Sequence, residues 1–126
     1  MRMWMVDPRQ MCNKHLLGEH VETHMFLGTI RKGGKRFDGY FKNNLFEPKS
    51  LKERHDALAL EMQRRGMNHQ SPLDVKKEDL ESLPDVKVNT ESALKDLVSR
   101  CPVCRKSFSK DRPNSTARRD YEILQP

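Results

Sequence analysis

The sequence has little that would suit a membrane or an oxidising compartment. Among its 126 residues, no apolar run approaches the ~20 residues that a membrane-spanning helix needs. The opening stretch, Met-Arg-Met-Trp-Met-Val-Asp-Pro, is too short and too interrupted to resemble a signal peptide. Only three cysteines are present, and a reducing cytosol would leave them without structural disulfides. We therefore expect a cytoplasmic protein that does not act at a membrane.

The chain has a basic charge balance in a length that fits one compact domain. Its net charge is +6, with 33% charged and 35% hydrophobic residues. This balance favours a polyanionic partner, nucleic acid first, although a basic protein with no such partner can have the same composition.

Apolar spacing and helix-end signals predict three helices. The first begins at Asn13 as N-cap, runs to about Lys32 and ends at two glycines. We expect its four-residue repeat of Leu17, Val21 and Met25 to pack against the other helices.

The second predicted helix begins at a Ser50–Glu53 capping box and ends at Gly66, and a third covers about 91–100. The sequence thus predicts a mostly α, single compact domain of about three helices with long basic loops over residues 1–106. A basic, flexible tail is expected over 107–126. In the basic loop 33–49, Phe41 and Phe46 could stack on bases, but we favour a role as anchors to the core.

Three polar residues of the first helix fall on one arc. His15, Glu19 and Glu22 lie within about 60° of one another at about 100° per residue. We expect them to line a surface or cleft, for which the simplest interpretation is a solvated acidic face with one histidine.

The N-terminus supplies a reason to favour chemistry there. Arg2 is a poor context for removing an initiator methionine, so we expect the amine of Met1 to be retained. Amines of this kind titrate near pKa of about 7.7–8.0, well below a lysine side chain. A nucleophilic amine beside a carboxylate is the minimum equipment for Schiff-base chemistry.

Two groups of residues have metal-ligand spacing. His20 and His24 are at i, i+4, but Val21 stands where the zinc-protease pattern needs glutamate, so a metal there is not favoured. Cys101 and Cys104 form half of a zinc site. Cys12 and a histidine (His55, His69 or one of the first helix) could complete it. Two reduced thiols, or a redox pair without its usual βαβ setting, are the alternatives.

Several segments resemble the endonuclease V-type pyrimidine-dimer DNA glycosylases. The stretch Lys-His-Leu-Leu-Gly-Glu-His-Val-Glu over 14–22 is similar to that family's His-Leu-x-x-Glu-Tyr-Arg-Glu helix. The similarity continues at Gly28, at Arg31-Lys32, and in segments 51–55 and 64–68, and covers roughly residues 1–70. Met1, Arg2 and His15 also keep the family's spacing from its nucleophilic amine.

The resemblance implies a bifunctional DNA repair glycosylase and abasic-site lyase. Met1 would form the imine and Glu22 would drive β-elimination, with no cofactor required for catalysis and a structural zinc at Cys101 and Cys104 as an open option. It further implies a monomer of bacterial or viral (phage) origin acting on double-stranded DNA with a damaged or abasic site. The implied DNA-binding residues are Arg2, His15, Glu19, His20, Arg31, Lys32, Lys35, Arg36, Arg64 and Arg65.

The sequence also departs from the family pattern. Val21 and Met25 stand where the family has two DNA-gripping arginines, and a Cys-Pro-Val-Cys-Arg-Lys segment replaces its aromatic C-terminal run. A non-catalytic DNA-binding protein on the same fold, a glycosylase for a different modified base, and a zinc-dependent interaction module are therefore the alternatives.

Overall fold

A computed structural model describes residues 1–33, 37–69 and 71–109, and all regular structure within these ranges is helical. The mostly α prediction is confirmed, and the three long predicted helices are α1, α3 and α5. The helices are α1 (Asn13–Lys32), α2 (Asp38–Lys42), α3 (Leu51–Arg64), α4 (Lys77–Leu80), α5 (Thr90–Arg100) and α6 (Pro102–Ser109), with 3-10 turns at Pro8–Gln10 and Pro48–Ser50.

The core is built where α1 packs on α3 and where α5 packs on α6. An aromatic group joins the loop after α1 to this core, with Phe26 and Phe46 stacked at 4.1 Å between ring centroids and Phe41 stacked on Phe46 at 5.7 Å. The interpretation of Phe41 and Phe46 as anchors agrees with these contacts. Every helix in the described ranges is too short or too polar to span a bilayer.

The C-terminal ends of α1 and α3 lie at the predicted glycines, but the side-chain hydrogen bonds at their N-terminal ends differ from the prediction. Gly33 and Gly66 adopt φ of 71° and 84°, left-handed values that favour glycine at a helix end. The N-cap of α1 is Cys12, whose sulfur accepts from the backbone N–H of His15. The prediction of a Ser50–Glu53 capping box is wrong, because the Ser50 hydroxyl donates to Glu47 instead.

The buried face of α1 is not the one expected. Leu17, Val21 and Met25 are 40%, 53% and 48% exposed, so the prediction that they pack against other helices is wrong. The helix instead buries Leu16, Glu19, His20, Thr23, Phe26 and Leu27. A mixed polar and apolar face can be buried because other elements supply partners for its polar groups.

The last described helix was not predicted as a helix. It spans Pro102–Ser109 and buries Cys104 and Phe108, so the expected start of the tail at 107 falls inside it. The remainder of the expected tail, 110–126, lies outside the described residues.

Candidate active site and metal-ligand clusters

The N-terminal segment runs through the interior and brings Met1 to α1. Met3 and Trp4 are buried, and the backbone N–H of Met3 donates to the carbonyl of Leu45 at 2.7 Å. One residue earlier, the backbone N–H of Arg2 donates to Glu22 Oε1 at 2.9 Å. The segment is thus fixed at two successive points, and the first residue lies beside the Glu22 carboxylate.

A cavity of about 490 Å³ opens at this junction. Its walls combine the first residue, the Glu22 carboxylate and several cationic side chains. The lining residues are Met1, Arg2, Trp4, Lys14, His15, Gly18, Glu19, Glu22, Leu45 and Arg100. Cations around a carboxylate suit a phosphate-bearing substrate whose reaction centre needs a base.

Arg2 is held against the wall of this cavity. Its guanidinium carbon lies 3.8 Å from the ring centroid of Trp4, within range of a cation–π contact, and Nη1 donates to Asp96 at 3.4 Å. Burial lowers the pKa of Arg2, which Asp96 opposes. Its Nε is buried without a hydrogen-bond partner among the described residues.

Glu19 differs from the expectation of an exposed polar trio. Its side chain is fully buried, and its two oxygens accept from Nε and Nη2 of Arg54 at 2.6 and 2.8 Å. Arg54 also donates to the carbonyl of Val6 at 2.7 Å. The bidentate pair therefore joins α1, α3 and the N-terminal segment, and Glu19 is a structural residue at the base of the cavity.

His15 faces two environments. It lines the cavity and meets Trp4 edge-on at 5.9 Å between ring centroids. Its Nδ1 lies 3.1 Å from the sulfur of Cys12 and 3.8 Å from that of Cys104. Burial, followed by the charge of Lys14, lowers the pKa of His15, which favours the neutral, ligand-competent imidazole.

Three cysteines meet His15 at the start of α1. Cys12 and Cys101 have sulfurs 3.8 Å apart, and the ligand atoms of Cys12, His15, Cys101 and Cys104 all lie within 4.8 Å of one another. All three thiols are free. Burial raises the pKa of Cys104 to about 12, so this thiol is neutral until a metal displaces its proton. Three sulfurs and one imidazole nitrogen form the donor set of a Cys₃His zinc site.

Two predicted DNA contacts, both cationic, are engaged in the fold. Arg65 donates to Glu61, to Asn13 Oδ1 at 2.8 Å and to the carbonyl of Met11 at 2.8 Å, so it ties the end of α3 to the start of α1. Arg31 donates to Asp79 Oδ2 at 2.9 Å, which places it against the acidic segment that starts at Asp74.

Three further predicted contacts, Lys32, Arg64 and His20, are not among the residues that line the cavity. Arg64 is exposed and pairs with Glu61, and Lys32 is exposed at the end of α1. His20 is only 7% exposed and lies among other histidines. Lys35 and Arg36 lie outside the described residues.

Sequence reasoning missed several functional neighbours. Lys14 and Arg100 line the cavity, and Trp4 supports both Arg2 and His15. Lys14 directly precedes His15 and could have been included with the polar arc. Arg100 reaches the cavity only through the packing of α5, which no local pattern reports.

One protein-family model matches the N-terminal part of the chain. The model described as pyrimidine dimer DNA glycosylase matches residues 1–75, more than half of the chain. The chain belongs to this family of DNA repair glycosylases, so it is an enzyme of DNA repair whose substrate is DNA. Searches of curated proteins and of solved structures gave no match.

Proposed function

We propose that this chain is a bifunctional pyrimidine-dimer glycosylase and abasic-site lyase that uses the Met1 amine as nucleophile and Glu22 as base. The single observation that carries the proposal is the 2.9 Å hydrogen bond from the backbone N–H of Arg2 to Glu22 Oε1. It holds the first residue and the carboxylate on the wall of one cavity. Geometry of this kind suits a reaction in which one group attacks carbon and the other moves a proton.

The proposed reaction balances in three steps. The neutral Met1 amine attacks C1′ of the damaged nucleotide, the bond from C1′ to the base breaks, and loss of a proton and opening of the sugar give an imine. Glu22 removes a proton from C2′, and the bond from C3′ to its oxygen breaks, which releases the 3′-side phosphate. Water then hydrolyses the imine and returns the amine.

The proposed DNA contacts follow from the walls of the cavity. Three cationic residues, Arg2, Lys14 and Arg100, line it. Extrusion of a nucleotide is expected to bring its sugar to Met1, at least cost where the base is damaged or missing. Arg31 and Lys32 at the far end of α1 are proposed as peripheral phosphate contacts, with Arg31 leaving Asp79 on binding.

The decisive test is borohydride trapping of the chain with a free Met1 amine on two duplexes, one with an abasic site and one with a cyclobutane pyrimidine dimer. We expect a covalent adduct at Met1 on both, mapped by peptide mass spectrometry. A variant with Lys14→Arg, which keeps the charge of the other amine that lines the cavity, should trap equally well.

The other outcomes select among the alternatives. An adduct at Lys14 would identify that residue, and not Met1, as the nucleophile. Trapping on the abasic duplex alone would support the lyase activity and indicate that the enzyme excises a modified base other than the pyrimidine dimer. Tight DNA binding without any adduct would favour the non-catalytic DNA-binding protein.

We also propose that Cys12, His15, Cys101 and Cys104 bind a structural zinc ion, without a step in catalysis. The mutual distances of their ligand atoms support it. Such an ion would fasten α6 to the start of α1, next to the cavity. Metal analysis should show that the paired substitution Cys101→Ser/Cys104→Ser lowers the zinc content by one ion per chain. An unchanged zinc content would refute the site and leave the interpretation of three reduced thiols.

A further inference from the structure

Four of the five histidines of the chain gather at a place away from the catalytic cavity. His20 and His24 come from α1, His55 from α3, and His69 from the segment after α3. Ring centroids lie 4.8 Å apart for His20 and His55, 4.8 Å for His20 and His69, and 4.9 Å for His24 and His55. None of the four lines the cavity beside Glu22, so the proposed glycosylase chemistry does not use this group.

One ring nitrogen of the cluster has no partner. Nε2 of His20 lies 2.9 Å from Nε2 of His69, a hydrogen bond in which one ring donates its proton to the other. Nε2 of His24 is buried without a hydrogen-bond partner among the described residues. A buried nitrogen without a partner is costly, and a bound cation would give the Nε2 of His24 a partner.

Burial, followed by the repulsion of His55, His24 and His69, lowers the pKa of His20 to about 4. Burial and His55 lower the pKa of His24 as well.

His55 has the outer partner that metal-binding histidines commonly have. Its Nδ1 lies 2.9 Å from Asp56 Oδ1, while its Nε2 lies 3.0 Å from the carbonyl of Ser71. A carbonyl oxygen only accepts, so the contact with Ser71 needs the proton on Nε2. With the proton on Nδ1 instead, donated to the carboxylate, the ring stays fixed and Nε2 carries a lone pair for an ion. Metal at Nε2 would replace the contact with Ser71 and keep the contact with Asp56.

We propose that His20, His24 and His55 bind a divalent transition-metal ion, with His69 as the adjacent fourth nitrogen donor. The ligand atoms of the first three residues lie within 4.8 Å of one another. A set of imidazole nitrogens suits Zn²⁺, Ni²⁺ or Cu²⁺ and does not suit Mg²⁺ or Ca²⁺. An opening of about 250 Å³ lined by His55, Asp56 and His69 gives an entry path. The ion would cross-link α1 to α3 and to the segment after it.

Zn²⁺ titrated into the full, metal-free chain tests the site, with stoichiometry from metal analysis and affinity from calorimetry. X-ray absorption on the Cys101→Ser/Cys104→Ser chain should find an ion with only nitrogen or oxygen neighbours. His24→Gln should remove one ion per chain or weaken its binding by at least about tenfold, since even outer partners of a metal site are worth this much.

The control is His15→Gln, which changes the sulfur-containing cluster and should leave the nitrogen-bound ion in place. His69→Gln, in a segment outside the helices, provides a second variant if His24→Gln does not fold. Zn²⁺ binding that is unchanged in the folded variants at both positions would overturn the proposal, as would the absence of a nitrogen-bound ion from the paired cysteine variant.

Discussion

Glu19 and Glu22 are one turn apart on α1, yet their surroundings give them different properties. Both oxygens of Glu19 accept from Arg54 in a site closed to solvent. Glu22 is half-buried on the cavity wall and accepts from the backbone N–H of Arg2. A carboxylate with both oxygens committed to a guanidinium is a structural element, whereas the carboxylate on the cavity wall is the one proposed above as the base.

The largest expected effect comes from Glu22→Gln. Without the base, we expect strand cleavage at an abasic site to fall by about 10²–10⁴-fold, while DNA binding and borohydride trapping at Met1 persist. Single-turnover cleavage and trapping, run side by side, measure the two steps. Full cleavage by this variant would remove Glu22 from the mechanism.

Glu19→Gln should act on folding instead. It replaces the carboxylate that accepts from the buried guanidinium of Arg54 with a neutral amide, and we expect the free energy of unfolding to fall by about 3–5 kcal/mol. Urea denaturation measures this loss, with the exposed Glu91→Gln as control. Equal stability of the two variants would contradict the structural role of Glu19.

Arg64 and Arg65 are a second pair of like residues whose surroundings differ, and here the side chains are cationic. Arg65 joins α3 to Asn13 and to the carbonyls of the N-terminal segment, so Arg65→Ala should lower the free energy of unfolding by about 1–3 kcal/mol. Arg64 is 62% exposed and pairs with Glu61. Arg64→Ala is therefore the matched control, with no expected change in Tm. Identical melting curves for the two variants would show that the Arg65 contacts do not stabilise the fold.

The smallest expected effect is that of Arg31→Ala. Because Arg31 forms an exposed pair with Asp79, its loss should leave the melting temperature unchanged. As a peripheral phosphate contact, its removal should reduce the slope of log affinity against log salt by about 1. Asp79→Asn should leave that slope intact, and a slope unaffected by Arg31→Ala would assign the arginine to the fold alone.

The sequence could predict what depends on local spacing. The bounds of α1 follow from its polar start and from Gly33, whereas the grouping of Met1 with Glu22 is what the family resemblance implies. The same local logic assigned the wrong buried face to α1, since Leu17, Val21 and Met25 have the right period but are exposed.

The remaining features depend on contacts between distant parts of the chain. Glu19 and Arg54 are 35 residues apart, and Cys12 and Cys101 are 89 apart. No periodicity reports such pairs, because each arises when one helix packs on another. The residue types alone suggested a zinc site with four ligands. Which histidine completes it depends on the packing of α6, which brings Cys104 close to His15.

Trp4 is the single tryptophan of the chain, buried between the guanidinium of Arg2 and the ring of His15. Its emission therefore originates at one wall of the cavity that Glu22 lines. A phosphate that draws Arg2 away changes the charge above the indole, and a metal on His15 changes the group at its edge. The fold thus contains its own optical reporter, which responds to changes at Arg2 and at His15 without any added label.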